Sequence, residues 1–549
     1  MSTATTRRHD LDALRAGAML LGIVLHAALA FDPSIPWPIR DVGQSEFYSL
    51  LMHWIHGFRM PLFFCLSGFF TAMLWRKRGL KSLLGHRFKR IFVPLVIGAV
   101  TIVPATNYLT EWAISRQSGN ANAQTDIWTA ARLGHVAAMQ RLIDEGQDPN
   151  EPDAVFQTTP LAMATTFDQA ESVSQLLELG ADPDRRDGQG STALHTAAMF
   201  GSWKSAERLV DGGADVSLKN ADGLTAEEVL SVDVSTSVAI ATAFQIPVDA
   251  KQIVEGRERI AEKLGTELPE SVRATAGGQA ISWIVWLLIG PVLNHLWFLW
   301  FLCWLVAAFA IYSWIAPAIG LDRIWGPIVS SPLRYLYLVP TVMLFELTMP
   351  SAFGPDTSIG LFPLPHVLAY YAVFFFFGAM YYDVLDRGSE PSSARAGKYW
   401  WLTLPLATIV FPIGVDLHTN LFGWFNEMDA TVKWLGKAFV ESLYAWLMIF
   451  GLIGLFRKAF SSENRTLRYI SDASYWLYLA HLPLVIAVQG FVASWQIPSM
   501  FKFTGICLTI TVGLLVVYEY AIRYTPIGTL LNGPRARPGQ RSNQQTSLG

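Results

Sequence analysis

Arg15 and His26 stand eleven residues apart in the first apolar segment, LDALRAGAMLLGIVLHAALAF. At about 100° per residue, that spacing returns both side chains to nearly one helix face, roughly 16 Å apart along the axis. The arginine then lies near one membrane edge and the histidine deep inside. An ionisable group at that depth is costly and points to function. Such a histidine can take the proton of a hydroxyl as a general base, or carry an acyl group covalently. Asp12, three residues before Arg15, can pair with it. A snorkelling arginine and a histidine bonded to a neighbouring helix would leave the same pattern.

Further candidates follow in the second and third apolar segments. Arg59 in HGFRMPLFFCLSGFFTAMLWRKRG lies roughly 12 Å deep from the opposite face, level with His26. It can polarise a thioester carbonyl or stabilise an oxyanion, or bond a carbonyl that Pro61 frees by kinking the helix. Ser67 and Gly68 permit close helix contact. Arg87 and Arg90 in RFKR are one helical turn apart and suit a polyphosphate, although they serve equally as topology markers. His295 opens HLWFLWFL at an outer membrane edge, where the aromatic surround reads as an interfacial belt. His481 in LAHLP is a second histidine inside a span, expected to shape an acceptor site or pair with a carboxylate. Glu519 reads as a surface residue. His53 and His56 read as outer-interface residues without a third metal ligand, so no metal is expected.

The elements that must hold these residues are membrane helices. The chain of 549 residues is 52% hydrophobic and 15% charged, against about 25% charged in soluble domains, and its mean hydropathy is +0.32. The net charge of −3 is uninformative because charges segregate by region. Cys65, Cys303 and Cys507 each fall inside a span and form no disulfide framework or metal spacing. The first apolar run reads as a retained anchor rather than a cleaved signal. Ten spans centre on 13–31, 53–75, 91–110, 294–316, 333–349, 366–384, 400–417, 433–456, 473–494 and 502–523. Residues 281–290, ISWIVWLLIG, are too short and read as interfacial or re-entrant. Arg76, Lys77, Arg78, Lys81, Arg87, Lys89 and Arg90, with no acidic residue among them, put the loop after the second span in the cytoplasm. Alternation then puts inside the N-terminus, Arg387 and Arg395 with Lys398, Arg457 and Lys458 with Arg465 and Arg468, and the tail after Gly533.

The same alternation puts residues 111–280 outside, in the periplasm of a Gram-negative cell. Thr159-Pro-Leu, Thr192-Ala-Leu-His and Thr225-Ala-Glu-Glu recur at a period of 33, as do Gly180-Ala-Asp and Gly213-Ala-Asp. This is the ankyrin signature, about three repeats between 125 and 232. His195 is expected to support its repeat turn. Ankyrin stacks are binding surfaces, so a protein partner is expected there. The acidic insert argues against nucleic acid.

In order along the chain, LDALRAGAMLLGIVLHA, FRMPLFFCLSGFF, RFKRIFVP, HLWFLWFL and SYWLYLAHLPLV resemble the acyltransferase family three of ten-span membrane proteins, and most closely its glucan-biosynthesis branch. The resemblance covers residues 8–110 and 290–525 and does not include the ankyrin insert. It implies transfer of an acyl group from cytosolic acyl-CoA to a hydroxyl of an extracytoplasmic glycan or lipid. It places the core of the site on Arg15 and His26 and the arginine pair on Arg87 and Arg90. Its FFxxSG motif falls on Phe63, Phe64, Ser67 and Gly68. Acetyl or succinyl is the expected group and periplasmic glucan the expected acceptor.

The expectation is therefore an all-α, polytopic inner-membrane helix bundle with an inserted extracytoplasmic ankyrin solenoid. Its parts are 1–115, spans one to three; 120–235, the repeats; 236–280, a charged connector; 281–525, spans four to ten; and 526–549, a disordered cytoplasmic tail. The catalytic candidates are His26, Arg15 and Arg59. Arg87, Arg90 and Ser67 are expected on the donor side, and His295 and His481 on the acceptor side. No bound cofactor is expected; acyl-CoA, the glycan acceptor and the bilayer are the expected partners. A transporter or flippase and an ankyrin-based scaffold are the rival classes. The first lacks an inverted repeat, and the second leaves the intramembrane charges unexplained.

Overall fold

The computed structural model describes residues 8–35, 37–118, 126–153, 157–243, 246, 248–270, 272, 292–318, 320, 329, 331, 333–349, 353–386, 397–533 and 535. The apolar stretch 281–290, Arg387, Arg395 and the tail from 536 onward lie outside the described residues. Every regular element among the described residues is helical. In hydrocarbon a backbone must satisfy its own polar groups, and a helix does so within one segment.

Among the described residues, eight helices are long and apolar enough to cross a membrane. One of them, Glu46–Arg116, runs for 71 residues and covers both the second and third apolar segments. It divides into α2 (Glu46–Arg87), a π-helical turn at Phe88–Phe92 and α3 (Val93–Ser118). The residue inside α2 that leaves helical geometry is Gly79, at φ 75, not Pro61, around which helical dihedrals are kept. The fifth apolar segment forms a helix of only 12 residues, Tyr335–Glu346. Outward-facing Val100, Trp314, Leu336, Trp401 and Phe501 leave a broad apolar exterior, which a bilayer covers.

Helix α2 packs closely on the sixth-span helix, Pro365–Asp386. A Cβ at Gly68 would sit 1.8 Å from the Phe375 carbonyl oxygen, and one at Gly378 would sit 1.9 Å from that of Cys65. Small residues at both crossings let the backbones touch. Phe64 fills the adjoining space against Phe298 and Tyr371, with ring centroids 4.9 and 4.5 Å away. Gly68→Val should therefore force the helices apart at a cost of about 3 kcal/mol. The thermal transition of the purified protein in detergent should fall by several degrees; an unchanged transition would refute this packing.

A buried ion pair fastens the segment after the first helix. Lys502 Nζ lies 2.5 Å from Asp41 Oδ1, with side chains 2% and 1% exposed. Lys502 also donates to the Trp495 carbonyl.

The insert forms the helix pairs α4 (Ile127–Leu133) with α5 (Val136–Asp144), α6 (Pro160–Thr166) with α7 (Ala170–Glu178), and α8 (Ala193–Phe200) with α9 (Trp203–Asp211). The first helix of each pair opens with Asp126, Thr159 or Thr192 at its N-cap, where a side-chain oxygen can hold an orphan N–H. His195 supports its turn. Its Nδ1 accepts from the Thr192 amide at 3.2 Å and its Nε2 donates to the Leu224 carbonyl at 3.0 Å. Burial lowers its pKa, consistent with the neutral ring these bonds require.

The stack extends further than its repeats. Residues 250–264, within the expected connector, form a helix whose Ile253, Val254, Ile260 and Ala261 join the ankyrin core. Likewise, the segment after 525 begins with a packed helix, Pro526–Asn532, rather than a disordered tail.

Candidate functional site

Helix α1 (His9–Ala28) carries Arg15 and His26. Near its start, Arg15 donates to Ser471 Oγ at 3.1 Å and pairs with Asp12 at 3.4 Å. At its other end the His26 carbonyl accepts from Gln489 Nε2 at 2.9 Å, and Gln489 Oε1 accepts from Trp37 Nε1. Buried Gln489 thus fixes the backbone of His26 and leaves its imidazole to the site.

Arg59 and His26 come together, as their depths predict. A Cβ at Gly22 would stand 2.2 Å from Arg59 Nη1. The guanidinium therefore lies across α1 one turn before His26, where only hydrogen leaves room for it. Its charge reaches His26, His56, His295 and His481. Its Nε is buried without a hydrogen-bond partner.

Two more histidines complete the cluster. The His481 ring lies 5.1 Å from His26 and 5.4 Å from His295, between centroids. His481 Nδ1 contacts the Tyr478 carbonyl at 2.7 Å, and His295 Nε2 contacts the Leu479 carbonyl at 3.1 Å. A carbonyl only accepts, so each of these nitrogens carries the proton. His481 Nε2 and His295 Nδ1 are then basic nitrogens, and both are buried without partners, as is His26 Nδ1. His295 is 8% exposed, a member of this cluster rather than of an interfacial belt. His481 pairs with backbone carbonyls and histidines, not with a carboxylate. His53 is also buried, bonding the Ser49 carbonyl, and His56 bonds the Pro355 carbonyl. Among the described residues no group of three potential ligands could hold a metal.

One face of the Arg465–Val492 helix links the two ends of the site. Ser471 meets Arg15, and Tyr475 donates to the Arg90 carbonyl at 2.7 Å. Tyr478 donates to the His295 carbonyl at 2.7 Å; His481 meets His26, and Gln489 holds its backbone. Steps of four, three and three residues, then one of eight, keep these side chains near one face.

At the Arg15 end, Arg87 Nη2 donates to Thr71 Oγ1 at 2.8 Å, and Thr71 donates to the Ser67 carbonyl at 2.7 Å. Arg15, Arg87 and Arg90 interact electrostatically with one another. The π turn follows Arg87 directly; such turns often mark functional sites. Ser67 joins the arginines through its backbone and buried Thr71. Glu519 is half-buried and pairs with Arg523 at 2.6 Å.

At the other end the histidines border a cavity of about 2230 Å³, lined by His26, Arg59, His295, His481, Trp37 and Tyr478 and continuing to Trp128 and Arg132 of the insert. The site is thus cationic at one end and has three histidines and an arginine at the other.

Sequence reasoning passed over Thr71, Gln489, Tyr475 and Tyr478. A lone glutamine in an apolar span and the polar face of SYWLYLAHLPLV were the available signals. It also passed over Glu346 and Glu441, both buried, on the fifth- and eighth-span helices.

A family model described as an acyltransferase domain matches residues 8–131 and 269–519, more than half of the chain. A model of three ankyrin repeats matches residues 127–220. The chain is 38% identical over 90 residues to Glucans biosynthesis protein C of Escherichia coli (strain SMS-3-5 / SECEC), covering 16% of this chain and 23% of that one. It is 35% identical over 95 residues to the protein of the same name from Salmonella schwarzengrund (strain CVM19633), covering 17% and 24%. These matches span about a quarter of the relatives' length. The ankyrin repeat domain of Bcl-3 is similar at 30% identity, over 20% of this chain and 47% of that one, with a TM-score of 0.19.

Proposed function

The chain belongs to the acyltransferase family whose model it matches, and on that premise we propose that it is an integral membrane O-acyltransferase. It moves an acetyl or succinyl group from cytosolic acyl-CoA to a hydroxyl of an extracytoplasmic glycan. Both termini face the cytoplasm, and the insert faces the periplasm across the inner membrane. The name of the relatives favours a glucan as acceptor. The insert recruits the acceptor or the assembly that bears it.

In this reading Arg15, Arg87 and Arg90 hold the phosphates of the donor, with Ser67 and Thr71 behind them. The thioester reaches along the Tyr475–Tyr478 face toward His26. His26 takes the proton of the acceptor hydroxyl while that oxygen forms a bond to the thioester carbon. Arg59 stabilises the resulting oxyanion. The carbon–sulfur bond then breaks, and the thiolate recovers the proton from His26, leaving an ester and free coenzyme A. His481 and His295, each with one nitrogen pinned to backbone, orient the acceptor. The observation that carries the reading is the polar face joining the arginine cluster to His26 across the bundle. A cytosolic donor and an outside acceptor need such a connection.

Mass spectrometry of periplasmic glycans from strains with and without the gene tests the proposal. The expected result is an ester-sized mass increment, equal to acetyl or succinyl, that disappears with the gene. Identical glycan masses would remove the glycan as acceptor.

A further inference from the structure

The carboxyl-terminal helix Pro526–Asn532 packs against the π turn at Phe88–Phe92. Asn532 Nδ2 donates to the Asp472 carbonyl at 2.7 Å and to Tyr518 Oη at 3.2 Å. The next turn of chain brings Gly533 beside Arg90, where a Cβ would lie 2.7 Å from Nη2. Arg535 pairs with Asp472 at 2.7 Å, and its charge reaches Arg90. Asp472 immediately follows Ser471, the partner of Arg15.

Five guanidiniums, Arg15, Arg78, Arg87, Arg90 and Arg535, are therefore gathered at one end of the bundle. Among the described residues, their carboxylate partners are Asp12 on Arg15 and Asp472 on Arg535. The hydrogen bond of Arg87 goes to neutral Thr71, and its Nε is buried without a partner. Like charges held this close repel, and a polyanion would relieve the repulsion. Arginine suits phosphate because its planar donor fork binds two oxygens at once.

We propose that Arg535, presented by the carboxyl-terminal helix, is a ligand for the phosphates of coenzyme A and completes the donor site with Arg87 and Arg90. This rests on the acyl-CoA reading above. The amide of Asn532 and the packed helix place Arg535; Asp472 holds its side chain until the phosphates arrive.

Titration calorimetry of the full chain in nanodiscs tests this, with coenzyme A and pantetheine as probes. Arg535→Gln should weaken coenzyme A about fivefold, as for one partly exposed ion pair, and leave pantetheine unchanged. The loss should shrink at high salt. Asp472→Asn keeps the backbone bond to Asn532 and frees Arg535, so coenzyme A binding should hold or tighten. If Asp472→Asn weakens binding as much as Arg535→Gln, Arg535 only tethers the tail and the proposal falls. If Arg90→Gln weakens coenzyme A and Arg535→Gln does not, the proposal falls while the donor reading survives. If Arg87→Gln, Arg90→Gln and Arg535→Gln all leave coenzyme A binding intact, the donor reading falls and takes this proposal with it.

Discussion

Replacing His26 by alanine should lower acyl transfer by about three orders of magnitude while leaving yield and thermal stability nearly unchanged. The two halves of this expectation have separate structural causes. Gln489 binds the carbonyl of residue 26, not its ring, so alanine keeps that anchor. The lost side chain had ring contacts with His481 and Trp37 and a buried Nδ1 with no hydrogen-bond partner. Little stability is lost with it. The chemical loss is large because the other two histidines point their protonated nitrogens at backbone carbonyls and are fixed on different helices. Neither can swing into the place of His26. Initial rates of acyl-CoA consumption in proteoliposomes, beside a melting curve, measure both halves. Near-normal turnover in a folded His26→Ala protein would remove His26 from the chemistry and leave the cluster a structural one.

The residues legible in the sequence are those whose signal is local. Arg15 and His26 share one helix, so spacing alone puts them on a face. Arg59 was matched to His26 by depth, a one-dimensional argument that holds because membrane helices run nearly parallel. The ankyrin repeats were legible because Thr159, Thr192 and Thr225 cap successive repeats at one interval. What was lost needed contacts between distant helices. His295 was placed on the acceptor side at an outer edge, but its cover by the ninth-span helix through Leu479 and His481 was not legible. Pro61 looked like a kink, but its place among well-packed helices keeps the dihedrals helical. Buried Glu346, Glu441 and Lys502 had a local signal, an ionisable group in an apolar segment. The stretch 250–264 was read by its charge, although Ile253, Val254, Ile260 and Ala261 form an apolar stripe at helical spacing.

That misread stretch carries the second large effect. Arg257→Met should destabilise the insert by about 3–5 kcal/mol, as when a buried charge network loses its cation. Arg257 is 0% exposed. Its guanidinium donates to the carbonyls of Ala198, Met199, Leu230 and Val232 and to Ser237 Oγ. Burial pushes its pKa down to about 10, opposed by Asp233, so it remains charged at neutral pH. Methionine fills similar space but offers no donor, which takes that partner from four backbone carbonyls, while Ser237 keeps its bond to Met199 Sδ. Each then costs about 1–3 kcal/mol before relaxation. The acceptors come from the last helix pair, from the turns after α10 (Ala226–Val229) and from the helix Val234–Ala243. Arg257 therefore ties the final helix to the end of the stack. A repeat array depends on such a terminal cap, because each unit is stabilised only by its neighbours. Loss should appear first as amide exchange across 193–264 in the full-length protein, faster by a factor of a hundred or more if the local opening cost falls by about 3 kcal/mol. The amides of α4 to α7 should respond less, since stability in a linear stack decays with distance from the damaged end. Uniform acceleration across the insert would instead mean that the stack unfolds as one unit and that Arg257 holds all of it.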